Sequence, residues 1–270
     1  MRALIVALAL AACGDDGASN TDAAKAADAI SVSILDAYGK AWGEPDASAR
    51  RRLLEYSAAD NLAVYEPTRT LATRDEVYAA MGQFQADVPG GSVVSVGNVR
   101  EAHQRVWLNW DTRNGSGSSV AVGLDLMKRA GDDRIERVHS FFGTLPLTPG
   151  TNTPVQQALV DAWNEPDNGM RSTLLATAMA DDVVIAIENQ TAVFTGRTAF
   201  AALIGNELTA SPGRTLRLTT GYLDLPNAFH VAWKTVAADG TTMIAAGVMM
   251  AILAADGRIA EAVYFDGTLP

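Results

Sequence analysis

Apolar and polar positions follow two different periods along this 270-residue chain, one typical of helices and one typical of strands. Near the start, Ile30, Ile34, Tyr38 and Trp42 recur every four residues, which predicts one face of an amphipathic helix. A short second helix is predicted around Leu53. Helical periodicity therefore governs the first part of the chain beyond residue 22.

A third helix is predicted from its starting signal. Thr73 with Glu76 three positions later is a capping box, and residues 89–91, Pro-Gly-Gly, end the helix. Extended segments separated by turns rich in Gly, Ser and Asp follow this helix, at about residues 92–99, 103–112, 118–128 and 135–142. Helices followed by a run of neighbouring strands indicate an α+β unit with its helices packed on one sheet.

The same pattern occurs twice. Residues 41–46 read AWGEPD and recur as AWNEPD at 162–167, while residues 141–146 read FFGTLP and recur as FDGTLP at 265–270. Between these motifs Trp110 matches Trp233. A repeat of more than 120 residues indicates a duplicated domain rather than a solenoid. The predicted organisation is a signal peptide (1–12), a tether (13–21), domain 1 (22–146), a linker (147–154) and domain 2 (155–270).

Composition limits the possible partners. The chain has 31 acidic and 21 basic residues and a net charge of −10, which disfavours nucleic-acid binding. The one basic run, residues 50–52, is interpreted as a solvated helix face. Cys13 is the only cysteine, so no disulfide can form within the chain, and hydrophobic burial has to hold the domains together.

The N-terminus has the pattern of an export signal. Arg2 is followed by ten apolar residues, a run too short to span a membrane as a helix, and then by Cys13. The segment resembles the bacterial lipobox, which implies that Cys13 is acylated and that the lipid membrane is a partner. Gly14 after the cysteine favours the outer membrane or cell surface over the inner membrane. The alternative is an ordinary secretory signal in which Cys13 is incidental.

The repeated motif, the Asp-rich strand entries (60–66 and 181–187) and the final Gly-turn hairpin resemble the SnoaL-like branch of the nuclear transport factor 2 superfamily. The resemblance covers residues 30–146 and 155–270. It implies an α+β fold of two tandem cone domains, each with three N-terminal helices packed on a curved antiparallel sheet. The open end of such a cone can hold a small molecule.

The superfamily includes ketosteroid isomerase and polyketide cyclases, and the resemblance places three candidate catalytic residues in domain 1. Tyr38 falls at the tyrosine position, Glu66 before Pro67 at the base position, and Asp125 at the acid position. A carboxylate base with two donors at a carbonyl oxygen is the arrangement that moves a proton beside that carbonyl. Strand alternation puts Gly123 on the face of Asp125, where a small residue leaves room for a ligand.

Domain 2 lacks this set, because Leu159 and Met249 stand at the positions of Tyr38 and Asp125. Its cone is predicted to be apolar, either holding an apolar ligand or filled as core. His230 aligns with Trp107 and is interpreted as packing, and His139 is expected outside the cone or in a domain contact. The candidate ligand-binding residues of both domains are Trp42, Trp110, Gly123, Phe142, Trp163, Trp233 and Met249.

Three functions are consistent with these patterns. The favoured one is a membrane-anchored lipoprotein that binds a small apolar ligand or acts as an accessory protein. The second is a cofactor-independent isomerase or cyclase in domain 1. The third is a structural pair, with the domains packed on each other or in a homo-oligomer and both cones filled by large side chains. No metal is expected, since no two histidines share ligand spacing with a carboxylate, and no cofactor is expected, since the sequence has no Gly-rich phosphate loop.

Overall fold

The computed structural model describes residues 34–267, which form two successive α+β units. We call residues 34–142 domain 1 and residues 154–267 domain 2. The predicted signal peptide, Cys13, the tether and the first residues of the predicted first helix lie outside the described residues. Among the helices that the structure describes, none is long and apolar enough to cross a membrane.

Domain 1 packs three helices on a six-stranded sheet of order β2-β1-β6-β5-β4-β3. Its helices are α1 (34–43), α2 (Ala47–Ser57) and α3 (Arg74–Asp87). Its strands are β1 (Ala58–Tyr65), β2 (Thr70–Leu71), β3 (Ser92–Ala102), β4 (Arg105–Arg113), β5 (Ser119–Arg129) and β6 (Ile135–Phe142).

Domain 2 repeats this order with a seven-stranded sheet, β10-β11-β12-β13-β7-β8 with β9 paired to β11. Its helices are α4 (Pro154–Asn164), α5 (Asn168–Ala178) and α6 (Arg197–Ala210). Its strands are β7 (Met179–Ile187), β8 (Phe194–Thr195), β9 (Thr215–Leu218), β10 (Leu223–Leu225), β11 (Ala228–Val236), β12 (Met243–Leu253) and β13 (Ile259–Asp266).

The predicted α+β fold of two tandem units is confirmed, but the sheets are not wholly antiparallel. In domain 1, β1 pairs parallel with β6, and in domain 2, β7 pairs parallel with β13. Parallel neighbours need a long crossover, and here α3 and the strands β3–β5 supply it in domain 1. The order also differs from helices first and strands second, because β1 and β2 precede α3.

The repeated motif proves to be a helix cap. The carboxylate of Asp46 accepts from the backbone N–H of Ala49 at 2.7 Å at the start of α2, and Asp167 accepts from Met170 at 2.8 Å at the start of α5. Such a cap satisfies N–H groups that have no partner within the helix. The guanidinium of Arg50 donates to the backbone carbonyl of Glu44 at 2.7 Å and is buried, so the prediction of a wholly solvated basic face is wrong at this position.

Each domain has its own apolar core, and a third apolar cluster lies between the two sheets. In this third cluster Trp107 packs on Phe265 with ring centroids 5.9 Å apart, and Phe141 packs on His230 at 6.1 Å. Trp107 and His230 occupy equivalent strand positions in the two domains, as do Phe141 and Phe265. The two sheets therefore face each other with approximate two-fold symmetry.

Ion pairs across this contact break the symmetry. Arg105 Nε lies 2.7 Å from Glu261 Oε1, and the guanidinium of Arg137 pairs with the other oxygen of the same carboxylate. Arg100 pairs with Glu188 at one edge. Burial raises the pKa of Glu261, but the two guanidinium groups outweigh it and bring the pKa below its usual value. Domain 1 thus supplies the cations of these pairs and domain 2 the anions.

Two histidines are buried near this contact. His139 stacks on Tyr65 with ring centroids 4.7 Å apart, and neither ring nitrogen of His230 has a hydrogen-bond partner. Burial lowers the pKa of both imidazoles to about 3, and the nearby Arg137 adds to the effect on His139. Both rings are therefore neutral in the folded protein at neutral pH.

We expect this burial to make the protein sensitive to acid. Below pH 6.5 the imidazoles of the unfolded chain bind protons that the buried rings do not bind. The free energy of unfolding is therefore highest above pH 6.5 and falls as the pH drops towards 3. Each histidine should cost about 2 kcal/mol of stability between pH 6.5 and pH 5. Urea unfolding at pH 7.5 and pH 5 should show that acid lowers the free energy of unfolding less for His230→Phe than for the unmodified chain. Equal decreases would contradict the conclusion that His230 is neutral in the folded protein.

Candidate functional site

A cavity of about 1220 Å³ opens in domain 1 between its helices and the inner face of its sheet. The lining includes residues of α1, α2 and α3 and of the strands β3 to β6. Ligand pockets of proteins typically enclose about 300–1,000 Å³, so this space is ample for a small molecule. Two voids in domain 2, of about 10 Å³ and about 160 Å³, are far smaller.

Polar groups at the base of the cavity come from helix α1, from the strands β4, β5 and β6, and from the residue that follows β1. Tyr38 and Trp42 lie one turn apart on α1, Asp125 lies on β5, and Ser140 faces it from the neighbouring strand β6. Glu66 follows the last residue of β1. The strand register brings these side chains to one region, which we call the floor of the cavity (Tyr38, Glu66, Trp110, Asp125 and Ser140).

Asp125 is the most perturbed carboxyl group of the floor. Its Oδ1 accepts a hydrogen bond from Trp110 Nε1 at 2.8 Å. Burial raises the pKa of Asp125 to about 7, against hydrogen bonds from Ser140 and Trp110, and the negative charge of Glu66 adds to the rise. Near neutral pH the group is therefore present both as a neutral acid, which can donate a hydrogen bond, and as a carboxylate.

Tyr38 is buried next to the two acidic side chains. Burial and the charge of Asp125 raise the pKa of its phenol far above the usual value, Trp42 donates to its oxygen, and Glu66 raises the pKa further. The hydroxyl thus remains protonated, and its hydrogen can be donated to a ligand.

Glu66 is held by a neighbouring arginine. Arg69 Nε donates to one carboxylate oxygen and Nη2 donates to the other at 3.3 Å, across the short turn between β1 and β2. Both oxygens of Glu66 are therefore engaged. The sequence reasoning missed Arg69, because a spacing of three residues predicts no ion pair unless the shape of the turn between β1 and β2 is known.

The structure brings the three candidate catalytic residues, Tyr38, Glu66 and Asp125, to one cavity, while their chemical roles stay predictions. Of the candidate ligand-binding residues in domain 1, three line the cavity: Trp42, Trp110 and Phe142.

Gly123 does not line the cavity. A Cβ atom there would lie 2.3 Å from Trp110 Cζ2 and 2.3 Å from the carbonyl oxygen of Phe141. The missing side chain therefore makes room for the Trp110 indole rather than for a ligand. The indole then reaches the carboxyl group of Asp125.

Domain 2 has filled the corresponding space. Trp163, Trp233 and Met249 surround a void of only about 10 Å³, which has room for one water molecule at most. Tyr264 stands opposite Met249, where domain 1 has Ser140 opposite Asp125, and Trp163 also packs on Phe200 at 5.4 Å between ring centroids. Large side chains thus replace small ones inside the second cone, and sequence reasoning did not identify Tyr264.

The tryptophan N–H groups of the two domains also differ in their hydrogen bonds. Trp233 Nε1 has no hydrogen-bond partner, whereas the equivalent Trp110 donates to Asp125. Trp163 Nε1 donates to the hydroxyl of Tyr264 at 3.4 Å, while the equivalent Trp42 donates to Tyr38. A second recess of about 160 Å³ remains in this cone beside Arg214, and it shares Trp163, Trp233 and Tyr264 with the smaller void. Within residues 34–267, no group of three or more potential ligand side chains is arranged to hold a metal ion.

No protein-family model and no curated protein matches this chain. Solved structures do match it. A SnoaL-like family protein from Agrobacterium tumefaciens is 23% identical, with a TM-score of 0.40, and the match covers 43% of this chain and 99% of that one. A nuclear transport factor 2-like protein of unknown function from Cytophaga hutchinsonii is 14% identical, with a TM-score of 0.33 over 42% of this chain and 89% of that one.

A SnoaL-like protein of unknown function from Burkholderia thailandensis is 15% identical, with a TM-score of 0.35 over 43% of this chain and 97% of that one. Each match covers less than half of this chain. Function has to be argued from the cavity itself.

Proposed function

We propose that domain 1 binds one small, largely apolar molecule in its cavity and that domain 2 is a filled scaffold. The observation that carries the proposal is the contrast between one cavity of about 1220 Å³ in domain 1 and two small voids of about 10 Å³ and about 160 Å³ in domain 2. Apolar side chains such as Leu108, Met127 and Val138 supply most of the wall, and the floor supplies a few polar groups. This combination is typical of sites for small organic ligands.

The test is to close the first cone with the residue that fills the second. Ser140→Tyr places a phenol in the cavity at the position of Tyr264 and should lower the affinity for the neutral probe 1-decanol at least tenfold. Isothermal titration calorimetry measures the affinity and the stoichiometry, expected to be one. Tyr264→Phe, which keeps domain 2 filled, is the matched control and should bind 1-decanol as the unmodified chain does. Equal binding by both variants would contradict the proposal.

A second candidate function is proton transfer by an isomerase or cyclase. It is favoured by the meeting of Tyr38, Asp125 and Glu66 at one floor, where two donors and a carboxylate could act on a carbonyl compound. The bidentate pairing of Glu66 with Arg69 counts against it, since the carboxylate has to leave the guanidinium before it can take a proton. Binding without turnover is therefore the better-supported function.

We also propose that acylated Cys13 anchors the protein to a membrane at the outer membrane or cell surface. Support for this comes only from the sequence of residues 1–14. Such an anchor would hold both domains close to a lipid surface, where apolar molecules are concentrated. The ligand would then be one that partitions between membrane and water.

A further inference from the structure

The charged groups around the cavity are predominantly acidic. Five carboxyl side chains line it, against two basic side chains, Lys40 and Arg69. Lys40 Nζ lies 2.6 Å from Asp36 Oδ2, and Arg69 is engaged by Glu66, so each basic group already has a carboxylate partner. The remaining carboxyl groups of the lining belong to Glu44, Asp87 and Asp125. No cation of the lining is left over to neutralise an anionic ligand.

The excess of acidic over basic side chains has its greatest effect at the floor of the cavity. Asp125 and Tyr38 are both buried there, and Glu66 acts on both. Charges interact more strongly in a poorly solvated site than in water. A negative charge developing beside Tyr38 would meet carboxyl groups at close range, whereas a positive charge would be attracted by them.

The walls are compatible with an organic cation. Aromatic rings on several elements line the cavity, and two pairs are packed edge to face: Trp110 with Phe142 at 5.1 Å and Trp42 with Phe84 at 6.1 Å between centroids. The electron-rich faces of such rings attract ammonium groups, while their area favours apolar chains. Neutral and cationic ligands thus find complementary walls, but an anionic head group does not.

We infer that the ligand of the domain 1 cavity is an apolar molecule carrying a positively charged nitrogen, with the nitrogen at the floor beside Asp125. This inference rests on the proposed function and adds the charge of the ligand to it. The group facing a ligand nitrogen would be the carboxylate form of Asp125. Trp110 on β4, Ser140 on β6, and Tyr38 on α1 surround that group, with Glu66 after β1 held by Arg69.

Binding of a cation is then coupled to a proton. The burial that raises the pKa of Asp125 to about 7 keeps the carboxyl group largely neutral at pH 5.5, and a cation favours its ionised form. Ligand binding below pH 7 should therefore release a proton from Asp125. Affinity should rise as the pH increases through 7, in the opposite direction to a ligand that accepts a hydrogen bond from the neutral acid.

The experiment compares three probes with the same ten-carbon chain and different head groups: decyltrimethylammonium, 1-decanol and decanoate. Calorimetric titrations at pH 8.5 should give an affinity for decyltrimethylammonium at least tenfold above that for decanoate. The affinity for the cation should fall about tenfold or more at pH 5.5. Decyltrimethylammonium carries a permanent charge, so the pH dependence belongs to the protein.

Asp125→Asn should abolish both the pH dependence and the preference for the cation over 1-decanol. Asp111→Asn, on the same sheet but outside the cavity lining, is the matched control and should keep both. Decanoate binding as tightly as the cation, or cation affinity unchanged between the two pH values, overturns the inference. Binding of 1-decanol without any preference for the cation overturns it while leaving the proposed function intact; binding of none of the three overturns both.

Discussion

Glu261→Arg is expected to lower the free energy of unfolding by about 3–5 kcal/mol and to separate the two sheets. Glu261 is buried between Arg105 and Arg137, and it neutralises both guanidinium groups across the domain contact. The substitution would bring three guanidinium groups together without an anion and with little water to screen them. Urea unfolding gives the loss of stability, and small-angle scattering gives the separation as an increased radius of gyration.

The matched control exchanges the charges of two equivalent positions. Arg137→Glu combined with Glu261→Arg keeps two cations and one anion at the same place and should recover most of the lost stability. A double-mutant cycle then gives the coupling between the two positions. Glu261→Arg alone being within 0.5 kcal/mol of the unmodified chain, with unchanged scattering, would show that the contact does not depend on this carboxylate.

Tyr264→Ser is expected to lower the free energy of unfolding of domain 2 by about 3–5 kcal/mol, the range for removal of a large aromatic side chain from a core. Tyr264 is 4% exposed and packs against Trp163 and Trp233 in the filled cone. The variant gives domain 2 the residue that domain 1 has at this position. Thermal unfolding followed by tryptophan fluorescence measures the change.

Two further measurements distinguish the loss of side-chain volume at Tyr264 from the loss of its hydrogen bond. Tyr264→Phe removes only the oxygen that accepts from Trp163 at 3.4 Å and should cost about 1 kcal/mol or less. The ligand p-cresol has the shape of the lost side chain and should raise the melting temperature of Tyr264→Ser by binding in the new space. A loss of stability below 1 kcal/mol, with no effect of p-cresol, would mean that Tyr264 does not fill the cone.

The fold could be predicted where the signal was local. Thr73 begins α3 as predicted, since its hydroxyl accepts from the backbone of Glu76, although the carboxylate of Glu76 accepts from Ala72 N instead of closing the box on Thr73. Alternation also placed the strands. It could not give the direction of β1 relative to β6, because the inside–outside period is the same for parallel and antiparallel neighbours.

The candidate site could be predicted only in part. The resemblance selected Tyr38, Glu66 and Asp125, and the structure places them around one cavity. Strand alternation gave the face of Gly123 but not the course of the Trp110 indole across it, which depends on the neighbouring strand. Arg69 was missed because the pairing of a long side chain depends on a turn whose shape the residue pattern does not specify.

The opposite charges at Arg137 and Glu261 have a consequence for how the duplicated chain could evolve. These residues occupy equivalent positions, so two first domains facing each other in the same way would set arginine against arginine, and two second domains glutamate against glutamate. Charge divergence after duplication thus favours unlike partners, and the covalent connection keeps them at high effective concentration. Once each copy had a guaranteed and different neighbour, one could give up its interior to packing while the other kept its interior open.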